Sequence, residues 1–545
     1  MSREPDDPRD PKLDPPSTDT PTTRDTSLGR RRFVELTAVG VPALLSACAD
    51  DGAQDGDGSG SASSTGDVAT STTGVGSEQD ETHADETDTG GTAGGEQGSE
   101  DTGSEPVDFD PEAIPESIDL FPRTVMAGDM DTTSMTVTLF VSDAAPKRLR
   151  VWQPADEGMV DLLFDEDVEP DADGFVKERI EGLSAGQWYQ YAYFNEVEGQ
   201  LVSRSLIGNV HLPPEPGTAE PVTIAFGSCV GRGTLIPDFV NPNDVQPFFW
   251  DITDMAEALD YDVFVHLGDQ GYMDQVYSAG GTYESYLEAW GAYHGGGFRQ
   301  IYPKTGMLCT WDDHEVTDNG TVDPWTTDPS ERERIDNAMA AYYRVMPILA
   351  DDHTTQPLWR SMQWGDTVEL VVLDTRYERQ PEPGLAFMSV EQMEFLLDRI
   401  ENSPCRFICV ATGKPYSHVR LVTGDYPGGE ERWQEHIEDR QQVRDLVNAI
   451  DARNVVWVTG DIHMCYLGNT DEDDDSAAGQ MWEVCCTSGN TNPLALLLSP
   501  QQFEWFSDRP HMPVLTFNPD VGEVLVRFFD SDGGIAHERT LFLPA

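Results

Sequence analysis

The chain has 545 residues, 99 of them acidic against 34 basic, and a formal net charge of −65. That length allows two or three domains with sizeable cores. The charge excludes a stable nucleic-acid complex, because neutralising phosphates needs clustered Lys and Arg. It also disfavours adhesion to anionic lipid head groups.

Residues 1–29 are polar, rich in Pro, Asp and Thr, and cannot bury enough surface to offset their ordering entropy. Arg30-Arg31-Arg32-Phe33 then precedes a short, weakly apolar run ending in Leu45-Ser46-Ala47-Cys48. Paired arginines (Arg30 and Arg31) before a run too short to span a bilayer predict a twin-arginine export signal. The last four residues resemble a bacterial lipoprotein box, in which Cys48 becomes the lipidated mature N-terminus. From 49 to 110 there are 17 Asp plus Glu and no Lys or Arg. Such a stretch repels itself and stays extended. The expected organisation is a polar lead and signal over 1–48 and a disordered acidic tether over 49–117. The expected location is the cell envelope or surface, held by acylated Cys48, otherwise periplasmic or extracellular. The expected partners are the twin-arginine translocase and the lipid bilayer.

Residues 118–215 alternate in short β-branched and aromatic runs such as 134–140 and 188–194, and predict a small all-β sandwich. From 220 to 545 strands alternate with helices. Strands are expected at 222–225, 263–267, 307–311, 367–373, 407–411 and 454–459. Helices are expected at 248–259, 330–346, 389–400 and 434–450. This pattern predicts an α/β domain with a mixed central sheet.

Ligands of open α/β sheets gather at the carboxyl ends of strands. Four strand ends carry polar residues with no packing purpose: Gly227-Ser228-Cys229, His266-Leu267-Gly268-Asp269 with Tyr272, Trp311-Asp312-Asp313-His314-Glu315 running on to Asn319, and Gly460-Asp461-Ile462-His463. Repeated strand–Gly–Asp and strand–Asp–His patterns suit a two-metal hydrolase. One carboxylate must bridge two cations ~3.5–4 Å apart while other ligands cap each side, and a nearby His protonates the leaving alkoxide.

Together with Leu373-Asp374-Thr375-Arg376 and Ala341-Tyr342-Tyr343-Arg344-Val345-Met346-Pro347, these ordered blocks resemble the PhoD family of alkaline phosphatases and phosphodiesterases, within the calcineurin-like metallophosphoesterases. The resemblance covers about residues 119–545. It implies a metallophosphoesterase core and a two- or three-metal centre of Fe³⁺ and Ca²⁺. Thiolate and phenolate favour Fe(III), which makes Cys229, Asp269, Tyr272 and His463 the expected iron set. Carboxylates Asp313 and Asp461 stand where the wider superfamily has neutral ligands, and harden the second site toward Ca²⁺. Asn319 is an alternative ligand to Asp313. His314 is the expected general acid, and Arg376 the bidentate phosphate fork. His418 and His266 are weaker candidates, the latter as buried support.

The expected substrates are small phosphate mono- or diesters, since an acidic body slows the approach of polyanions. Two rival readings fit the same sequence: a phospholipase D-like or phosphotriester activity on the same centre, and a non-catalytic surface binding protein. Cys229, Cys309, Cys405, Cys409, Cys465, Cys485 and Cys486 form an odd set, so at least one is expected unpaired.

Overall fold

The computed structural model describes residues 107–155, 159–231, 259–317, 323–350, 356–380, 385–426, 431–489, 492–499 and 501–544. Arg30, Arg31, Cys48, the tether up to 106, Asn319 and nearly all of the helix expected at 248–259 lie outside these residues.

Two large mixed sheets carry the fold. The nine-stranded sheet has at its centre Val222–Gly227, Val263–His266 and Gly306–Cys309, mutually parallel and in register. The seven-stranded sheet has a parallel run of Val368–Val372, Phe407–Ala411, Val455–Thr459 and Trp482–Cys485. Most of these strands are fully buried, which is why their sequences read as continuous Val/Ile-rich runs rather than alternating ones.

The two sheets pack face to face. Val222, Ile224, Phe226, Val263 and Val265 share one core with Leu370, Val372, Phe407, Ala411 and Val458. The other face of the first sheet, with Phe264 and Met307, packs on Tyr286 and Trp290 of helix Tyr283–Gly295 and on Tyr342 of helix Pro329–Val345. The other face of the second, with Ile408, Val410 and Trp457, packs on Leu396 of helix Val390–Asn402 and on Val443 and Val447 of helix Ile437–Ile450. The result is an α/β/β/α arrangement.

The helices start where capping chemistry dictates. Asp328 accepts a hydrogen bond from Ser330 N at the start of Pro329–Val345, and Pro329 brings a pre-set φ to the first turn. Ser389 accepts one from Gln392 N. The six strands expected from 222 to 459 are present within about two residues of the expected bounds.

The segment 118–215 is all-β, but its strands divide between two sheets. Five form their own sheet: Lys147–Pro154, Val160–Val168, Trp188–Val197, Gln200–Arg204 and Gly208–His211. The other three, Met126–Gly128, Met135–Phe140 and Phe175–Ile180, extend the nine-stranded sheet, with Gly128 paired to Met307. The β segment is thus hydrogen-bonded into the α/β core rather than joined to it by a linker alone. This satisfies what would otherwise be an open edge at Gly306–Cys309, and alternation within a strand does not report its partner. Met512–Asn518, Glu523–Phe529 and Ile535–Phe542 close the opposite side of the same sheet as antiparallel strands.

All seven cysteines of the described residues are buried and free. Cys485 and Cys486 do not bond each other; the Cys485 thiol lies 3.4 Å from Met464 O and 3.6 Å from Gly460 O.

Candidate metal centre

The centre is built where the parallel strands of both sheets end. Val222–Gly227 leads to Cys229, Val263–His266 to Asp269, and Gly306–Cys309 to Asp312, Asp313 and His314. From the other sheet, Val368–Val372 leads to Arg376, Phe407–Ala411 to Lys414, and Val455–Thr459 to Asp461 and His463.

The chain turns sharply at these strand ends. Seven non-glycine residues with φ in the left-handed region occur among the described residues. Four of them are predicted ligands: Cys229 (52°), Asp269 (56°), Asp461 (74°) and His463 (56°). Each such residue costs about 1–2 kcal/mol, so the fold spends stability to aim these side chains. The glycines beside them have steric work. Gly268 has φ +105°, and a Cβ there would lie 2.6 Å from Asp312 N. A Cβ on Gly460 would collide with Ser228 Oγ at 2.1 Å.

Three overlapping groups of donor atoms result, each with its atoms within 4.8 Å of one another: Cys229, Asp269 and His463; Asp269, Asp313 and His314; and Asp312, Asp313 and Asp461. Asp269 belongs to the first two and Asp313 to the last two, so the groups form one continuous cluster. The Tyr272 ring packs against the His314 imidazole, with centroids 4.2 Å apart. Burial, then the charges of Asp269 and Cys229, push the Tyr272 phenol up.

In the first group the positive charge acting on Asp269 is that of His314. Asp269 is 1 % exposed, its Oδ1 has no hydrogen-bond partner, and it makes no ion pair with Lys or Arg among the described residues. Burial pushes its carboxyl well above the usual range, with His314 acting against it. Burial and Asp269 likewise push the Cys229 thiol up. Burial, and then the charge on His314, holds His463 down at about 4, so its imidazole is neutral as ligation requires. Thiolate, carboxylate and imidazole around a buried oxygen that has no hydrogen-bond partner fit a metal cation.

The carboxylate-rich group is different. Arg376 is buried and faces three carboxylates: Nε bonds Asp312, Nη1 bonds Glu431 at 3.1 Å, and Nη2 forms an ion pair with Asp313 at 2.9 Å without a hydrogen bond. The carboxylates of Asp312, Asp313 and Glu431 surround this fork, and Arg376 thereby ties the cluster together. Lys414 Nζ bonds Asp461 and lies 3.2 Å from Asp312 Oδ2 and 4.0 Å from Asp313 Oδ1. Burial opposes the Lys414 charge, as does Arg376, but Asp312, Asp461 and Asp313 outweigh both and raise its pKa. Burial also opposes ionisation of Asp461, which Lys414 and Arg432 nonetheless hold below the usual range. As they stand, these three carboxylates already surround a cation.

Two side chains organise the rest. Glu315, buried and raised to about 7 chiefly by burial, accepts hydrogen bonds from Asp269 N at 3.0 Å, Asp312 N at 2.8 Å and Gln270 N. It thereby joins the two loops that carry the shared carboxylates. Asp274 faces His314 Nδ1 at 3.1 Å. Burial opposes charge on His314, but Asp274 and Asp269 overcome it and raise the imidazole well above its ordinary value.

The fold therefore brings together Cys229, Asp269, Asp313, His314, Arg376, Asp461 and His463, with Tyr272 beside them; Asn319 lies outside the described residues. Sequence reasoning missed Asp312, Asp274, Lys414 and Glu315 as members of the site. Asp312 and Glu315 flank the two residues chosen from their own block, and Lys414 follows a strand just as the chosen ligands do. Nothing in the spacing singles out Asp274. His418 faces Asp425 at 3.0 Å and is half exposed, apart from the cluster. His266 is buried support: its Nδ1 accepts from Gly268 N at 3.3 Å.

The PhoD-like phosphatase family model matches residues 242–522. The chain belongs to the PhoD-like phosphatase family. Alkaline phosphatase D of Bacillus subtilis (strain 168) is 22% identical over 345 residues. The matched stretch is 56% of this chain and 56% of that relative's length. Among solved structures, PhoD superposes with a TM-score of 0.63 at 18% identity, covering 78% of this chain and 93% of that one. A purple acid phosphatase from yellow lupin (Lupinus luteus) seeds superposes with a TM-score of 0.54 at 14% identity, covering 77% of this chain and 74% of that one. These two likenesses concern the fold alone, with its mixed sheets.

Proposed function

We propose that this PhoD-like chain is a metal-dependent hydrolase of small phosphate mono- or diesters. The observation that carries this reading is Asp269: a buried carboxylate with an unpartnered oxygen, shared between the Cys229/His463 group and the Asp313/His314 group. Cys229, Asp269 and His463 would hold the metal, with Tyr272 beside them, and the thiolate and phenolate donors favour Fe³⁺. The metal would supply Lewis acidity at a phosphoryl oxygen and water activated at neutral pH. The carboxylate donors of the Asp313/Asp461 side suit a hard cation such as Ca²⁺, but there Lys414 and Arg376 compete with it.

The protein's own residues do the rest. Asp274 holds His314 by Nδ1, which leaves Nε2 as the nitrogen that can donate a proton to a departing alkoxide. Arg376 and Lys414 keep the carboxylates of Asp312, Asp313 and Asp461 fixed and neutralised, so that a phosphate anion is not repelled. Glu315 keeps the loops of Asp269 and Asp312 in register.

Elemental analysis with a visible spectrum tests the metal assignment, because phenolate or thiolate on Fe(III) colours a protein. Turnover of a phosphate monoester, a diester, a phosphotriester and a phospholipid by the purified chain tests the substrate class. A colourless, metal-free protein that releases no phosphate sinks the reading and favours a binding protein. Preferential turnover of phospholipid or triester favours the rival bond on the same centre.

Export by the twin-arginine route and anchoring through acylated Cys48 belong to the same proposal. Arg30-Arg31 before a short apolar run, Ala47-Cys48 at its end, and the acidic stretch that follows support it. Delivery to the envelope should fail when Arg30 and Arg31 become Lys, and Cys48→Ala should release the protein from membranes; full surface delivery of the double variant would refute the signal.

A further inference from the structure

The three carboxylates that converge in the second half of the centre do not converge on empty space. Lys414 Nζ bonds Asp461, stands 3.2 Å from Asp312 Oδ2 and 4.0 Å from Asp313 Oδ1, and is 3.7 Å from Glu431 Oε2. The Lys414 side chain is 0 % exposed. Arg376 reaches the same carboxylates from its own strand end, 2.9 Å from Asp313 Oδ1 and 3.8 Å from Asp461 Oδ1. Arg432 Nε adds a third positive charge, 3.4 Å from Asp461 Oδ2. A hard divalent cation ligated by these oxygens would sit about 2.0–2.6 Å from each. That places it within a few Å of the ammonium, in a buried setting where two positive charges repel strongly. The Cys229, Asp269 and His463 group contrasts with this: Asp269 makes no ion pair with Lys or Arg among the described residues.

We propose that Lys414 is the second cation of this centre. Its ammonium takes the place among Asp312, Asp313 and Asp461 that a second metal would fill, and the chain binds a single metal ion, at Cys229, Asp269 and His463. The inference rests on the metal-dependent reading above and refines it. Lysine is suited to the place because its compact ammonium is a point charge: it bonds Asp461 and lies within ion-pair distance of Asp312 and Asp313. The place is coded by Thr412-Gly413-Lys414 directly after strand Phe407–Ala411.

The test is metal stoichiometry of the purified full-length chain, saturated with Fe³⁺ and Ca²⁺, freed of excess metal and measured by elemental analysis and native mass spectrometry. The expected result is one metal per chain, unchanged in Asp461→Asn. Lys414→Met should raise it to two, because three buried carboxylates are then left short of charge. Two or more metals in the wild type overturn the proposal, most clearly if Asp461→Asn loses one of them. So does a folded Lys414→Met chain that still binds one. A wild-type chain that binds none overturns the metal-dependent reading itself, and so tells the two failures apart. If Lys414→Met does not fold, as judged by its thermal transition, wild type and Asp461→Asn decide the matter between them.

Discussion

His314 Nδ1 lies 3.1 Å from Asp274 Oδ1, and the Asp274 carboxylate also holds its second oxygen 3.3 Å away. The pair spans forty positions of sequence, yet Asp274 opens the short helix Asp274–Ser278 just beyond the loop of Asp269. A ring clamped at one nitrogen presents the other in a fixed direction. A carboxylate at that distance also keeps the ring protonated where burial alone would discharge it.

Asp274→Asn should therefore lower kcat by roughly 10–100-fold, a part of what a positioned acid contributes, with KM little changed. Removing the carboxylate lowers the His314 pKa, so the alkaline limb of the pH–kcat profile should move to lower pH. A profile that keeps its alkaline limb while kcat falls would show that His314 is not the acid.

Glu315 gathers three backbone amides, those of Asp269, Gln270 and Asp312. Leaving buried amides unpaired costs about 1–3 kcal/mol each. Glu315→Ala should destabilise the chain by more than 3 kcal/mol in urea unfolding. Glu315→Gln, which keeps an acceptor for part of the set, should cost clearly less. Equal costs for the two variants would mean that the amides find other partners.

Gly268 faces the Trp311–Asp312 backbone with no room for a methyl group and at a φ that disfavours L side chains. Gly268→Ala should cost about 2–4 kcal/mol from overpacking and backbone strain together. It should also weaken metal binding, since Asp269 and Asp312 must then separate. Circular dichroism melts and metal titration read the two effects independently.

His294 is buried in helix Tyr283–Gly295, and burial, helped by Arg123, holds its pKa down at about 3. The unfolded chain binds a proton there below about pH 6.5, whereas the folded chain refuses it. The histidine's contribution is full above that pH and is lost as pH falls toward 3, at up to about 1.4 kcal/mol per pH unit. His294→Phe removes the penalty. Relative to wild type, its stability should climb as pH drops from ~6 to ~4; a pH-independent difference between the two would mean that His294 is already charged in the fold.

Much of the architecture was legible in sequence because its causes are local. Fully buried parallel strands must be continuous apolar runs, and helix starts need Ser389 or Asp328 with its Pro329. Small residues before a polar cluster mark strand ends, so Cys229, Asp269, Asp313, His314, Asp461 and His463 stand out one by one. Partnership did not show in this way. The sharing of Met126–Gly128 with the α/β sheet depends on hydrogen bonds to Gly306–Cys309, about 180 residues later, and the run itself carries no mark of it. Likewise Arg376 looks, in sequence, like a free guanidinium after a strand. Only packing shows it facing Asp312, Asp313 and Glu431, with Lys414 among the same carboxylates. Sequence thus determined which side chains end up at strand tips, because hydrophobic run length and turn chemistry are written residue by residue. Tertiary structure alone decided which of them face one another, because the balance of buried charge is a property of distances between segments far apart in the chain.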